Sequence, residues 1–208
     1  MSNKRQFTND MQRMVAEFHD AFNHPVGEKP SLIPLQRLVD RKGWGVLEEM
    51  VEQIHSVANN KEEFLSAIED IKKYLDKAVD KQLSREFIQD ENDKIVALAD
   101  GIADELYFLL GDAVEASIDI EPILRIVQDS NMSKLFTDEE TGERYAKYDE
   151  NDKIMKSPEF KEPEPLIKKE IENQILDCEN GNYLHRIETG KLRADLINVI
   201  NKINNNEL

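Results

Sequence analysis

The sequence predicts an all-α protein: a helical bundle with one short irregular or hairpin segment and a C-terminal helical extension. Three observations lead there. Apolar residues recur at three- and four-residue intervals through most of the 208 positions. Gly and Pro are few and fall mostly where those stripes break. No series of short alternating runs is present that would build a parallel sheet.

Taken in order, Thr8 and Asp10 open a first helix whose buried stripe is Met11, Met14, Val15, Phe18, Ala21 and Phe22. Pro25, Gly27, Pro30 and Pro34 then make a loop. A second helix is expected over 35–58, a third over 61–83, and a fourth, the most apolar, over 93–117 and central in the bundle. Asp119 as N-cap and Pro122 in the first turn start a fifth. Residues 137–160, "TDEETGERYAKYDENDKIMKSPEF", carry turn residues and no helical stripe, so a loop or small hairpin is expected. Helices over 166–178 and 183–203 follow, split by "ENGN". The division expected is a domain over 1–163 and an extension over 164–208.

Composition narrows the function. The 43 acids against 27 bases leave a net charge of -16, which argues against a nucleic-acid or anionic-membrane partner. No apolar run approaches the roughly 18–20 residues that span a bilayer. "MSNKRQFTND" has no secretory hydrophobic segment, and the single Cys178 forms no intrachain disulfide, so a cytoplasmic protein is expected.

The acids are unevenly placed. Between Lys94 and Arg125, thirty residues hold seven acids and no base. Within them "ALADGIADELYFLL" puts Asp100 and Asp104 one helical turn apart, hence on one face. In "WGVLEEMVEQ", Glu49 and Glu52 are spaced i,i+3 and Glu48 and Glu52 i,i+4. A solvated acidic face normally interleaves Lys or Arg, whereas these positions hold apolar residues. Two readings stay open. The acids pair with a distant Arg37, Arg41 or Arg125, or the two helices share a hard divalent cation, for which carboxylate oxygens are the natural donors.

The same stretches carry a resemblance. "EEMVE" and "ALADGIADELYFLLG", with "MVAEFHDAFNHP" (14–25), "SIDIEPILRIVQDSNMSKL" (117–135) and "DKIMKSPEFKEP" (152–163), resemble the all-α nucleoside triphosphate pyrophosphohydrolases, also called MazG-like. Within them the phosphoribosyl-ATP pyrophosphohydrolase-like branch is the nearest match. Ala97 stands where that branch has a glutamate, the third helix looks like an insertion, and 166–208 have no counterpart.

The resemblance implies Mg²⁺-dependent (or Mn²⁺-dependent) hydrolysis of a nucleoside triphosphate, such as dUTP or a modified dNTP, between the α and β phosphates. It implies Glu49, Glu52, Asp100 and Asp104 as metal ligands and Glu48 and Glu49 as the catalytic pair, Glu48 orienting water. It implies Asn131, Lys134, Lys153 and Lys156 as substrate contacts, and a homodimer or homotetramer. The competing expectation is a non-catalytic helical interaction protein, favoured by Ala97. His19, His24, His55 and His185 have no zinc spacing, and Trp44 is expected in the core.

Overall fold

A computed structural model describes residues 7–181, and the helix expected over 183–203 lies outside the described residues. The described chain is mostly helical: α1 (Asp10–Ala21), α2 (Leu35–Asp40), a π-helical turn (Arg41–Val46), α3 (Leu47–Val57), α4 (Lys61–Leu83), α5 (Glu91–Glu115), α6 (Ile120–Met132) and α7 (Glu164–Glu179). A two-stranded antiparallel hairpin, β1 (Phe136–Thr137) and β2 (Arg144–Tyr145), follows α6. The all-α expectation holds. The chain divides into two compact units, one of residues 7–28 with 106–181 and one of 29–105.

Local signals set the helix ends. Asn9, rather than Thr8, caps α1, its side chain accepting from the Met11 and Gln12 amides at 2.8 and 3.2 Å. At the other end Asn23 adopts φ 55°, which lets the His24 amide reach back to the His19 carbonyl at 2.7 Å. Asn60 caps α4 by accepting from the Glu63 amide, and Glu63 in return accepts from the Asn59 amide at 2.8 Å. That backbone bond holds the Glu63 carboxyl below its ordinary range.

In the first unit α1 packs on α6 and α6 on α7. Its apolar centre is Phe22, Ile123 and Leu135, all buried, with Phe18 stacked on Phe22 at 4.4 Å between ring centroids. The Tyr148 hydroxyl donates to the Phe22 carbonyl and ties the segment after the hairpin to α1. Asp119 stands at the N-cap of α6 as expected, yet its side chain makes no capping bond. Gln174 of α7 does the work instead, accepting from the Asp119 amide at 2.8 Å and donating to its carbonyl at 3.0 Å. Gln174→Ala leaves that amide without its partner and is expected to cost about 1–3 kcal/mol, read as a lower midpoint in urea unfolding.

In the second unit α2, the π-helical turn and α3 form one continuous helical run, Leu35 to Val57, and α3 packs on α4. π turns are frequent near functional positions. Two expectations are corrected here. Trp44, in that turn, is 74% exposed and not in the core. Helix α5 buries no residue: Val96, Ile102, Leu106, Tyr107, Phe108 and Val114 are all exposed, so the most apolar helix is not shielded by the described chain. Its periodicity marks a face that wants cover, and periodicity alone cannot say what covers it.

Candidate functional site

The carboxylates lie where the helical reading put them. Glu48, Glu49 and Glu52 occupy α3, Asp100 and Asp104 occupy α5, and all five are solvent-exposed. None of the five carries an ion pair or hydrogen bond to any described residue, so the alternative of pairing with Arg37, Arg41 or Arg125 is not seen among the described residues. Arg125 binds Glu121 at 2.6 Å and Asp10 at 3.5 Å. The neighbouring Glu105 has taken a base, pairing with Lys42 from the π-helical turn. That partner comes from 63 residues upstream and escapes any search of the surrounding sequence. An ion pair this exposed is worth under about 1 kcal/mol, so it places α5 without dominating stability.

Among the described residues no three acids, histidines or cysteines are gathered into a metal cage. Mg²⁺ does not need one. It is commonly held by one or two carboxylates while keeping waters and substrate phosphate oxygens in its remaining positions. Exposed, unpaired carboxylates spaced by one turn fit that donor set, and Asp100 with Asp104 and Glu49 with Glu52 are such pairs.

The remaining candidates are in the other unit. Asn131 and Lys134 end α6 and the turn after it, with Lys134 Nζ donating to Asn131 Oδ1 at 2.6 Å. The two serines of the "SNMSK" run are structural. Ser130 Oγ donates to the Lys161 carbonyl at 2.8 Å, and Ser133 Oγ accepts from the Lys161 amide at 2.9 Å. Ser157 Oγ adds a bond to the Ser133 carbonyl at 2.8 Å. Together they strap residues 157–161 to the end of α6 and bring Lys156 close enough to repel Lys134. Burial first, and that repulsion second, hold the Lys134 ammonium below its ordinary range. Lys156 lies over the Phe160 ring at 4.1 Å. Lys153 is exposed in the Asp149–Lys153 turn and makes no contact with Asn131 or Lys134.

A lowered lysine pKa means the folded state disfavours the charge. Below its folded pKa Lys134 is charged in both states and the penalty is present in full. As pH rises from there toward the unfolded value the folded state binds fewer protons than the unfolded one, and stability rises. Lys134→Met therefore raises Tm at neutral pH, and the gain shrinks as pH rises toward the ordinary lysine range. Parallel melts across that range test it, and a gain that grows with pH contradicts it.

Residues 15–131 match the sequence pattern of the family described as phosphoribosyl-ATP pyrophosphohydrolase. The chain belongs to that family. Its fold also matches the crystal structure of a proposed NTP pyrophosphohydrolase from Exiguobacterium sp. 255-15, at 36% identity and a TM-score of 0.75. The match covers 81% of this chain and 98% of that one. No curated protein matches. The chain is thus a MazG-like pyrophosphohydrolase, and the non-catalytic reading gives way. No helix among the described residues is long and apolar enough to cross a membrane.

Proposed function

We propose that this chain hydrolyses a nucleoside triphosphate between its α and β phosphates, releasing the monophosphate and pyrophosphate, with the carboxylate pairs Glu49–Glu52 and Asp100–Asp104 as ligands for Mg²⁺ (or Mn²⁺). The observation that carries this is the set of unpaired carboxylates on α3 and α5 while Glu105 beside them is neutralised by Lys42. Carboxylates kept bare on partly apolar helices repel one another, an arrangement that a cation relieves. When bound, the metal neutralises phosphate charge and acidifies a coordinated water.

The chain's own groups have separate tasks. Glu48, one turn from Glu52 and without a partner, accepts the proton of the attacking water and orients it. Lys134 and Lys156 supply positive charge for phosphate oxygens, and Asn131 supplies a neutral hydrogen bond. Lys153 is a weaker contact of the same kind. A protein of net charge -16 otherwise repels such a substrate, so cation recruitment precedes phosphate recruitment. Incubation with a dNTP panel that includes dUTP, with and without Mg²⁺, tests the reading. Monophosphate and pyrophosphate in equal amounts support it, and inorganic phosphate as the only product overturns the cleavage position.

We also assign a homodimer or homotetramer, supported by the exposed apolar residues of α5. Sedimentation is expected to give a mass of two or four times 24.1 kDa at micromolar concentration, and a 24.1 kDa species contradicts it.

A further inference from the structure

Trp44 is the one tryptophan of the chain, and the fold holds it out to solvent. It sits in the π-helical turn (Arg41–Val46) with 74% of its surface exposed. Among the described residues the indole stacks on no ring, and its N–H, a donor only, has no acceptor. The turn is tied on both sides of the ring. Lys42 pairs with Glu105 of α5, and the Leu47 amide reaches back to the Lys42 carbonyl. Neither neighbour crowds the indole. Gly43 and Gly45 flank it, neither with φ in the left-handed region. A Cβ at either would meet no atom within 4 Å beyond the adjoining residues and the helix's own backbone. The fold thus asks for glycine at neither position, although glycine weakens a helix relative to alanine. Two bare flanks leave the indole open to a flat partner.

Position supplies the context. Trp44 and Glu48 are four residues apart in the continuous helical run from Leu35 to Val57, and Glu52 is four further on. The three side chains therefore follow one another along one side of the run, a turn apart. Glu48 and Glu52 are exposed and have no partner among the described residues. One turn rises about 5.4 Å, close to the span of the ribose between a base and its first phosphate. A base lying on Trp44 puts that phosphate beside Glu48, next to the carboxylates proposed to hold the metal. A second copy of the chain is a poorer occupant. Packing over Trp44, it would strip water from Glu48 as well, a burial that a chain of 43 acids and 27 bases is poorly equipped to offset. A nucleotide arrives with its own cation.

We propose that Trp44 is the base-stacking residue of the nucleotide site. This rests on reading the chain as a nucleotide hydrolase and adds the group that grips the base, a task no carboxylate or lysine performs. Every base has a π face, so the contact holds the nucleotide without choosing among bases.

The single tryptophan makes the test direct. Trp44 emission of the full chain is followed in Mg²⁺ during titration with the α,β-methylene analogues of dATP, dGTP, dCTP and dUTP, which resist α–β cleavage. Inorganic tripolyphosphate is the ligand without a base. At least one analogue should quench the emission saturably, and tripolyphosphate should leave it unchanged. Trp44→Ala should raise KM for a hydrolysed triphosphate at least about tenfold while kcat stays within about twofold. Trp44→Phe keeps a flat ring and should return KM to within about threefold of wild type. The exposure of Trp44 means that neither change should disturb the fold, which melting temperatures check. Equal quenching by tripolyphosphate, no quenching by any analogue, an unmoved KM in Trp44→Ala, or a smaller sedimentation mass in that variant, the mark of a subunit interface, overturns the assignment. The two readings fail separately. Saturable quenching without pyrophosphate release from any triphosphate sinks the hydrolase mechanism alone, and release with Trp44 emission unchanged sinks the stacking alone.

Discussion

Asp104→Asn and Glu49→Gln should each lower pyrophosphate release by about 10³-fold, the effect of losing several kcal/mol of metal-borne charge stabilisation. Both changes keep side-chain shape and remove one negative charge. Both residues are exposed and unpaired, so stability should move by less than about 0.5 kcal/mol. Loss of rate with an unchanged melting temperature thus separates a metal ligand from a structural residue. A second readout is Mg²⁺ titration, in which each variant requires a higher concentration for half-maximal rate. Glu105→Gln is the control: its carboxylate is already paired with Lys42, and its loss should change the rate far less. Wild-type rates in both Asp104→Asn and Glu49→Gln would remove these residues from the site.

Phe22→Ala should destabilise the first unit by about 3–5 kcal/mol, or roughly 10 °C in Tm. Phe22 is 1% exposed, stacks on Phe18, and its carbonyl receives the Tyr148 hydroxyl. Truncation leaves a cavity between α1 and its neighbours that rigid helices cannot fully close. Among the described residues Ile123 and Leu135 are the other buried apolar side chains of this unit, too few to compensate. Thermal melts followed by circular dichroism measure it. A shift under about 2 °C would mean that the centre of this unit lies elsewhere.

Much of the architecture was legible because helix formation is governed locally. The 3–4 spacing from Met11 to Phe22 predicts α1, and Asn60 with Glu63 mark the start of α4 at Lys61, the expected start of the third helix. The absence of any stripe over 137–160 pointed to a loop or small hairpin, and the structure has a hairpin of Phe136–Thr137 and Arg144–Tyr145. Trp44 was misread because a large aromatic is usually buried, and no local rule reports that a π-helical turn faces it outward. Gln174 and the serine strap were missed for a different reason. Their partners lie 55, 31, 28 and 24 residues away, and polar residues at such distances leave no periodic trace.

The helical class, the family, and the pairing of Glu49 with Glu52 and of Asp100 with Asp104 on shared helix faces are readable from the residues alone. Those follow from backbone geometry, in which residues three or four apart are neighbours whatever the rest of the chain does. Which acid near the middle of α5 meets Lys42 is set by tertiary packing. The same packing shapes a cleft between α1 and α6 and straps residues 157–161 to the end of α6. Each joins residues far apart in sequence, and their meeting depends on where the chain turns in space.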